Sequence, residues 1–279
     1  MFARVWRRLW ILALVLPMVA CGSTEPTASL PDHAIVRVVA ASSLRFALPG
    51  VVTELRRREP GVDVEVSYTS SGHAVAQLRQ GAPFDLFLSA DHDFPQRLVD
   101  AGVGDRASLF TYARGRLALY STENVGLATE GVTALRSERV ARIAIANPEH
   151  APYGHAAIAA LHALGVYDAV EAKLVRGENV AQAANLVRSH AADVGVVAFS
   201  LTLAPTMDHG QVLELPVDAY PPLLQSGVVI PGHDGEAGAR SLRALLLSAR
   251  GQAILSRWGF ISADAQPAEA AGPATTEAR

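Results

Sequence analysis

Aliphatic and β-branched residues gather in eight short runs, at 35–40, 62–68, 85–89, 117–120, 143–146, 194–199, 212–215 and 228–230, with segments of helical spacing between them. That alternation predicts βαβ units and largely parallel sheets. Val75 and Leu78 lie three apart, Ile158, Leu161 and Leu164 recur by threes, and Val180, Ala184 and Val187 follow four then three. Each of these segments has an apolar stripe to bury against a sheet. Pro49 is tolerable only in or near a first helical turn, so the helix after Ser43 starts around Phe46 or is kinked. Arg56-Arg57-Arg58 before Pro60-Gly61 closes it, with cations in the last turn and breakers behind them. Asn179 reads as an N-cap, with Gln182 where a capping box places Glu or Gln.

Four polar stretches sit where a strand-like run gives way to a helix-like one: Ala41-Ser42-Ser43-Leu44, Thr69-Ser70-Ser71-Gly72, Pro148-Glu149-His150-Ala151-Pro152-Tyr153-Gly154 and Gly177-Glu178-Asn179-Val180. A helix start leaves backbone N–H groups unpaired and partially positive, so a hydroxyl there completes a cradle for an anion. For the serines a plain capping role is the competing reading, and Gly72 reads equally as a turn residue. Tyr153 is either a core aromatic or a cleft residue, and its place between Pro152 and Gly154, outside any periodic run, argues for exposure in a cleft.

Taken together, Ala41-Ser42-Ser43-Leu44, the segment from Ser67-Tyr68-Thr69-Ser70-Ser71-Gly72 on to Gln80-Gly81-Ala82-Pro83-Phe84-Asp85-Leu86-Phe87-Leu88-Ser89-Ala90-Asp91, and Asn147-Pro148-Glu149-His150-Ala151-Pro152-Tyr153-Gly154 resemble the molybdate-binding proteins of bacterial ABC importers. The ending from Gly251 to Phe260 is similar to that family's terminal helix. The resemblance implies an α/β, two-lobed type II periplasmic binding protein fold, each lobe a mostly parallel sheet flanked by helices, with the ligand cleft between them. Lobe 1 is expected to hold 34–111 plus 216–263 and lobe 2 to hold 112–215. It also implies a ligand set: hydroxyls of Ser42 or Ser43 and of Ser71 from the first lobe, and backbone N–H groups of Tyr153 and Val180 from the second. Some members of that family place a tyrosine in the segment equivalent to Val196-Val197-Ala198-Phe199. Ala198 stands there, and Tyr153 is expected to replace the missing hydroxyl. The implied ligand is molybdate or tungstate, with no cofactor and no metal beyond the oxyanion. The implied partners are an ABC permease and its ATPase, and the protein is expected to be a monomer and not an enzyme. Molybdate is fully deprotonated at neutral pH and only accepts hydrogen bonds, which suits hydroxyl and N–H donors.

The ends of the chain add an address. Met1-Phe2-Ala3-Arg4-Val5-Trp6-Arg7-Arg8 is basic, 9–20 is apolar and small residues follow, the layout of a secretory signal at 1–20 and too short to span a membrane. Val19-Ala20-Cys21 resembles a bacterial lipobox, making Cys21 a lipid anchor on the extracytoplasmic side, 21–33 a tether, and 264–279 a disordered tail. Cys21 is the only cysteine, so no internal disulfide exists. A formal net charge of -3 with dispersed arginines gives no basic stripe for nucleic acid. Three rivals remain. One is a hydrolase using Ser71 with His73 or His150 and Asp85, but no G-x-S-x-G elbow is present. Another is the same fold binding sulfate or another tetrahedral oxyanion. The third, an effector module of a regulator, conflicts with the signal segment. The nine histidines are scattered without a recognised zinc spacing, and Asp91-His92-Asp93 reads as a solvated loop.

Overall fold

A computed structural model describes residues 34–207 and 210–263. The expected signal at 1–20, the tether with Cys21 and the tail at 264–279 lie outside the described residues. The first stretch runs β1 (Ala34–Ala41), α1 (Leu48–Arg58), β2 (Val62–Thr69), α2 (Ser71–Arg79), β3 (Leu86–Ser89), α3 (Asp93–Asp100) and β4 (Phe110–Gly115). The middle runs β5 (Leu117–Ser121), α4 (Leu127–Glu130), β6 (Ile143–Ala146), α5 (Pro152–Ala163), α6 (Tyr167–Val170), β7 (Leu174–Gly177), α7 (Val180–Arg188), β8 (Val194–Ala198), α8 (Phe199–Thr202) and β9 (Gln211–Glu214). The chain then returns through β10 (Leu223–Val229), α9 (Glu236–Leu247) and α10 (Ala249–Arg257).

Two five-stranded sheets result, ordered β2-β1-β3-β10-β4 and β7-β6-β8-β5-β9. In each, one strand runs against the other four: β10 is antiparallel to β3 and β4, and β5 is antiparallel to β8 and β9. These reversed strands are the ones the chain enters immediately after passing from one sheet to the other. The sheets are therefore mostly parallel in strand direction, with a reversal built into each passage.

The first passage lies at Arg116, between β4 and β5, four residues beyond the boundary expected at 111/112. The reason is that β4 pairs with β10 through Gly115, which keeps Tyr112 and Ala113 in the first sheet. β4 was not expected as a strand because its sequence, FTYARG, interrupts the apolar run with Arg114 and Gly115. β7 was missed for a related reason: LVRG is a four-residue edge strand, only partly buried. β10 begins five residues before its apolar run, through Gln225 and Ser226, both fully buried.

Alternation along β1 sends Val36, Val38 and Ala40 to one face, under α1, α9 and α10, and Val39 to the other, under α2 and α3. Fully burying an aliphatic side chain such as Leu48 or Leu55 contributes about 1.5–3 kcal/mol. The second sheet has one continuous core.

Both passages are pinned by one side chain. The Arg116 guanidinium donates to Glu214 Oε1 and Oε2 at 2.6 and 2.8 Å and to the Gly259 carbonyl at 2.9 Å, and lies over the Phe199 ring at 4.2 Å. Beside it the Leu117 N–H donates to the Tyr220 hydroxyl at 3.0 Å. Among the described residues no helix is long and apolar enough to cross a membrane.

Candidate functional site

All four polar junctions meet between the two sheets. They line a small, tightly closed cavity, to which Ser42, Ser43, Ser70, Ser71, Tyr153 and Val180 all contribute, with Thr69 and Asn179 beside them. No Asp, Glu, Lys or Arg is among the lining residues. The sequence-expected ligand positions are thus brought together, and every one of them is buried.

The hydroxyls from the first sheet are already engaged as acceptors. Ser71 Oγ accepts from the Ala90 N–H at 3.1 Å, and Ser42 Oγ accepts from the Ala181 N–H of α7, across the cleft, at 3.2 Å. Ser70, the N-cap of α2, accepts from the His73 N–H at 3.4 Å. A hydroxyl whose oxygen is taken by an N–H keeps its proton to donate. Ser43 differs, donating to Gln225 Oε1 over a long 3.3 Å. Gln225 is held in turn by its amide, which donates to the Ala90 carbonyl at 3.1 Å.

From the second sheet the contribution is backbone. Pro152 opens α5 and places Tyr153 in its first turn, where no i−4 carbonyl is available. Asn179 opens α7, its Oδ1 accepting from the N–H groups of Ala181 and Gln182, both at 3.1 Å, which leaves the Val180 N–H uncapped. Gln182 reaches the Glu178 N–H rather than that of Asn179, so the expected capping box is displaced by one residue. Among the described residues, the N–H groups of Ser71, Tyr153 and Val180 make no hydrogen bond.

Tyr153 corrects one expectation: it is 2% exposed, not open to a cleft. Its hydroxyl lies against Gly115, at the end of β4, at a spot a Cβ there would occupy, and is buried without a hydrogen bond. The Ser43 hydroxyl approaches it, but at a geometry too poor for a bond. Burial, reinforced by Tyr220, pushes its pKa well up, so it stays protonated. The ring packs in the core of the second sheet, and the residue lines the cavity.

The lobes touch at Gly72, whose N–H donates to the His150 carbonyl at 2.9 Å. An added Cβ at Gly72 would fall 2.8 Å from both the His150 Cβ and carbonyl oxygen, so glycine is required here for close approach and not for a turn. His150 Nδ1 lies 2.9 Å from Ser70 Oγ and its Nε2 lies 3.0 Å from Asn147 Nδ2. Asn147 Oδ1 accepts from the Glu149 N–H, which fixes the amide nitrogen towards His150. Neutral His150 therefore carries its proton on Nδ1 and donates it to Ser70. Burial, then the neighbouring His73, lowers its pKa and favours that neutral form.

This geometry removes the hydrolase rival. His150 donates to a serine instead of accepting its proton, and Ser71 bonds Ala90. Asp85 is buried in the first sheet with its carboxylate on the Arg37 N–H at 2.6 Å. Among the described residues, neither His73 nor His150 bonds the Ser71 hydroxyl, and Asp85 bonds neither histidine.

A profile of the bacterial extracellular solute-binding proteins matches residues 36–261. The chain belongs to that family. Among solute-binding proteins it is 33% identical over 226 residues to the molybdate-binding protein ModA of Rhodobacter capsulatus, covering 81% of this chain and 88% of that one. It is 30% identical over 265 residues to ModA of Escherichia coli K12, covering 92% and 98%. The periplasmic molybdate-binding protein of Azotobacter vinelandii superposes with a TM-score of 0.76 at 30% identity, covering 81% of this chain and 98% of that one. The sulfate-binding protein SubI of Mycobacterium tuberculosis shares the fold, with a TM-score of 0.70 at 17% identity.

Three parts of this solute-binding protein's site escaped the sequence. Ser70 was masked by its neighbour in the same motif. Gln225 was detectable as a polar residue in an apolar run, and its burial is complete. The pairing of His73 with His150 had no sequence signal, because their contact depends on the two lobes meeting.

Proposed function

We propose that this chain captures molybdate, and tungstate with it, in the cavity between its lobes and hands it to an ABC permease driven by an ATPase. One observation carries the reading: the hydrogen-bonding groups offered to the cavity by Ser42, Ser70, Ser71, Tyr153 and Val180 are donors, and no charged side chain stands among its lining residues. An acceptor-only dianion matches that set, whereas a protonated oxyanion such as hydrogen phosphate would find for its O–H only the Ser43 oxygen, whose own proton is given to Gln225. Hydrogen bonds to a charged partner contribute about 1.5–3 kcal/mol each, so several neutral donors suffice without a buried cation. Sulfate satisfies the same donor count, and the kinship with proteins named for molybdate favours the larger anion.

The lobes assigned here are the two sheets with their helices, hinged at Arg116 and at 215–222. The ligand closes them by binding that state better than the open one. The protein acts as a monomer outside the cytoplasm, tethered through a lipid on Cys21, and turns nothing over. Calorimetric titration of the purified protein with molybdate, tungstate, sulfate and phosphate tests the assignment. Molybdate and tungstate binding much tighter than sulfate, with no heat from phosphate, is expected. Sulfate equal to molybdate defeats the specificity assignment.

A further inference from the structure

At the mouth of the cleft, His73 of α2 faces His150 and Glu178 of the opposite lobe. The two imidazoles stack with centroids 4.0 Å apart and planes 22° apart. Glu178 Oε2 lies 3.7 Å from His150 Nε2 and 3.9 Å from His73 Nε2, and one donor atom from each residue falls within 4.8 Å of the others. We propose that these three residues form a transition-metal site, taking zinc or a similar borderline divalent ion, that bridges the lobes and latches the closed form.

Two imidazoles and a carboxylate are a known type of protein ligand set for zinc, with a water in the fourth position. Tetrahedral bonds of about 2.0–2.1 Å set neighbouring donors roughly 3.3 Å apart, so the two carboxylate–imidazole spacings contract by about half an ångström and the stacked rings turn until both lone pairs converge on the ion. The tautomer agrees. His150 holds its proton on Nδ1, against Ser70, so its lone pair is on Nε2, the nitrogen facing Glu178. That lone pair now meets the Asn147 amide at 3.0 Å, which the ion would displace. Access is open, since the His73 and Glu178 side chains are 44% and 65% exposed.

A metal on Nε2 would also strengthen the Nδ1–H donor to Ser70, whose own hydroxyl lines the cavity. Because one ligand comes from lobe 1 and two from lobe 2, the full ligand set exists only in the closed arrangement, which the ion therefore binds more tightly than the open one. By linkage the oxyanion and the metal then raise each other's affinity, a coupling that rests on the function proposed above.

The test starts with metal-free purified protein, titrated calorimetrically with zinc chloride without any oxyanion. One zinc per chain is expected, weakened at least about tenfold in His73→Ala and in Glu178→Gln. Both variants change exposed side chains, and unaltered melting temperatures would confirm that they fold. No saturable zinc binding, or identical binding in both variants, overturns the site. Molybdate is then titrated with and without one equivalent of zinc. About tenfold tighter binding with zinc in the parent protein and no change in His73→Ala is the expected pattern. Zinc binding that leaves molybdate affinity unmoved overturns the latch. Absence of molybdate binding in the zinc-free arm defeats the proposed function separately, leaving the zinc titration to decide the site.

Discussion

The two lobes carry the same α/β plan but furnish the cavity in different ways. Lobe 1 offers side-chain hydroxyls, those of Ser71 and Ser42 held by the backbone N–H groups of Ala90 and Ala181 and that of Ser43 held by Gln225. Lobe 2 offers backbone N–H groups at two helix starts, aimed by Pro152 and by the Asn179 cap. The hydroxyl face depends on side-chain identity, whereas the backbone face depends on helix placement. Substitutions should therefore read out as lost affinity in lobe 1 and as lost helix stability in lobe 2.

The largest expected effect comes where the lobes meet. Gly72→Val would force a side chain onto His150, opposing closure by about 3 kcal/mol, roughly a hundredfold in molybdate affinity, with the unliganded melting temperature little changed. Calorimetry and a melting curve separate the two effects, and unimpaired affinity would mean that the lobes need not meet this closely. Next come the hydroxyls: Ser71→Ala and Ser42→Ala should each weaken molybdate by about 1–3 kcal/mol, since the donor to the anion is removed; the Ala90 N–H also loses its acceptor, whereas the Ala181 N–H keeps Asn179 Oδ1. In lobe 2, Asn179→Ala should cost about 1 kcal/mol of stability in denaturant titration, through the lost α7 cap. Smallest of all is Val180→Ala. It keeps the N–H, so molybdate affinity should stay within about 0.5 kcal/mol, and a loss as large as that of Ser71→Ala would erase the contrast between the faces.

That contrast also explains what could be read in advance. Hydroxyls are visible as residue types, so Ser42, Ser43 and Ser71 stood out at strand-to-helix junctions, and the apolar runs located eight of the ten strands. An N–H donor belongs to every residue except proline, so nothing about Val180 as a residue type marks it. Its position was accessible through the capping signal of Asn179 and the family resemblance. Tyr153 misled because its flanking Pro152 and Gly154 resemble a loop. In fact Pro152 starts α5, and a Cβ on Gly154 would collide with the Ala146 carbonyl, so the glycine serves close packing and the ring turns inward. β4 and β7 were hidden because strand pairing at an edge tolerates Arg114, Arg176 and terminal glycines that no apolar pattern anticipates.

The most direct test is a crystal structure of the protein grown with molybdate, with anomalous scattering used to locate the molybdenum. The account predicts a single strong peak between the lobes, with oxygens in hydrogen-bond reach of the Ser71 hydroxyl on one side and the Val180 N–H on the other. A peak bound elsewhere, or oxygens held by donors from one lobe alone, would contradict it.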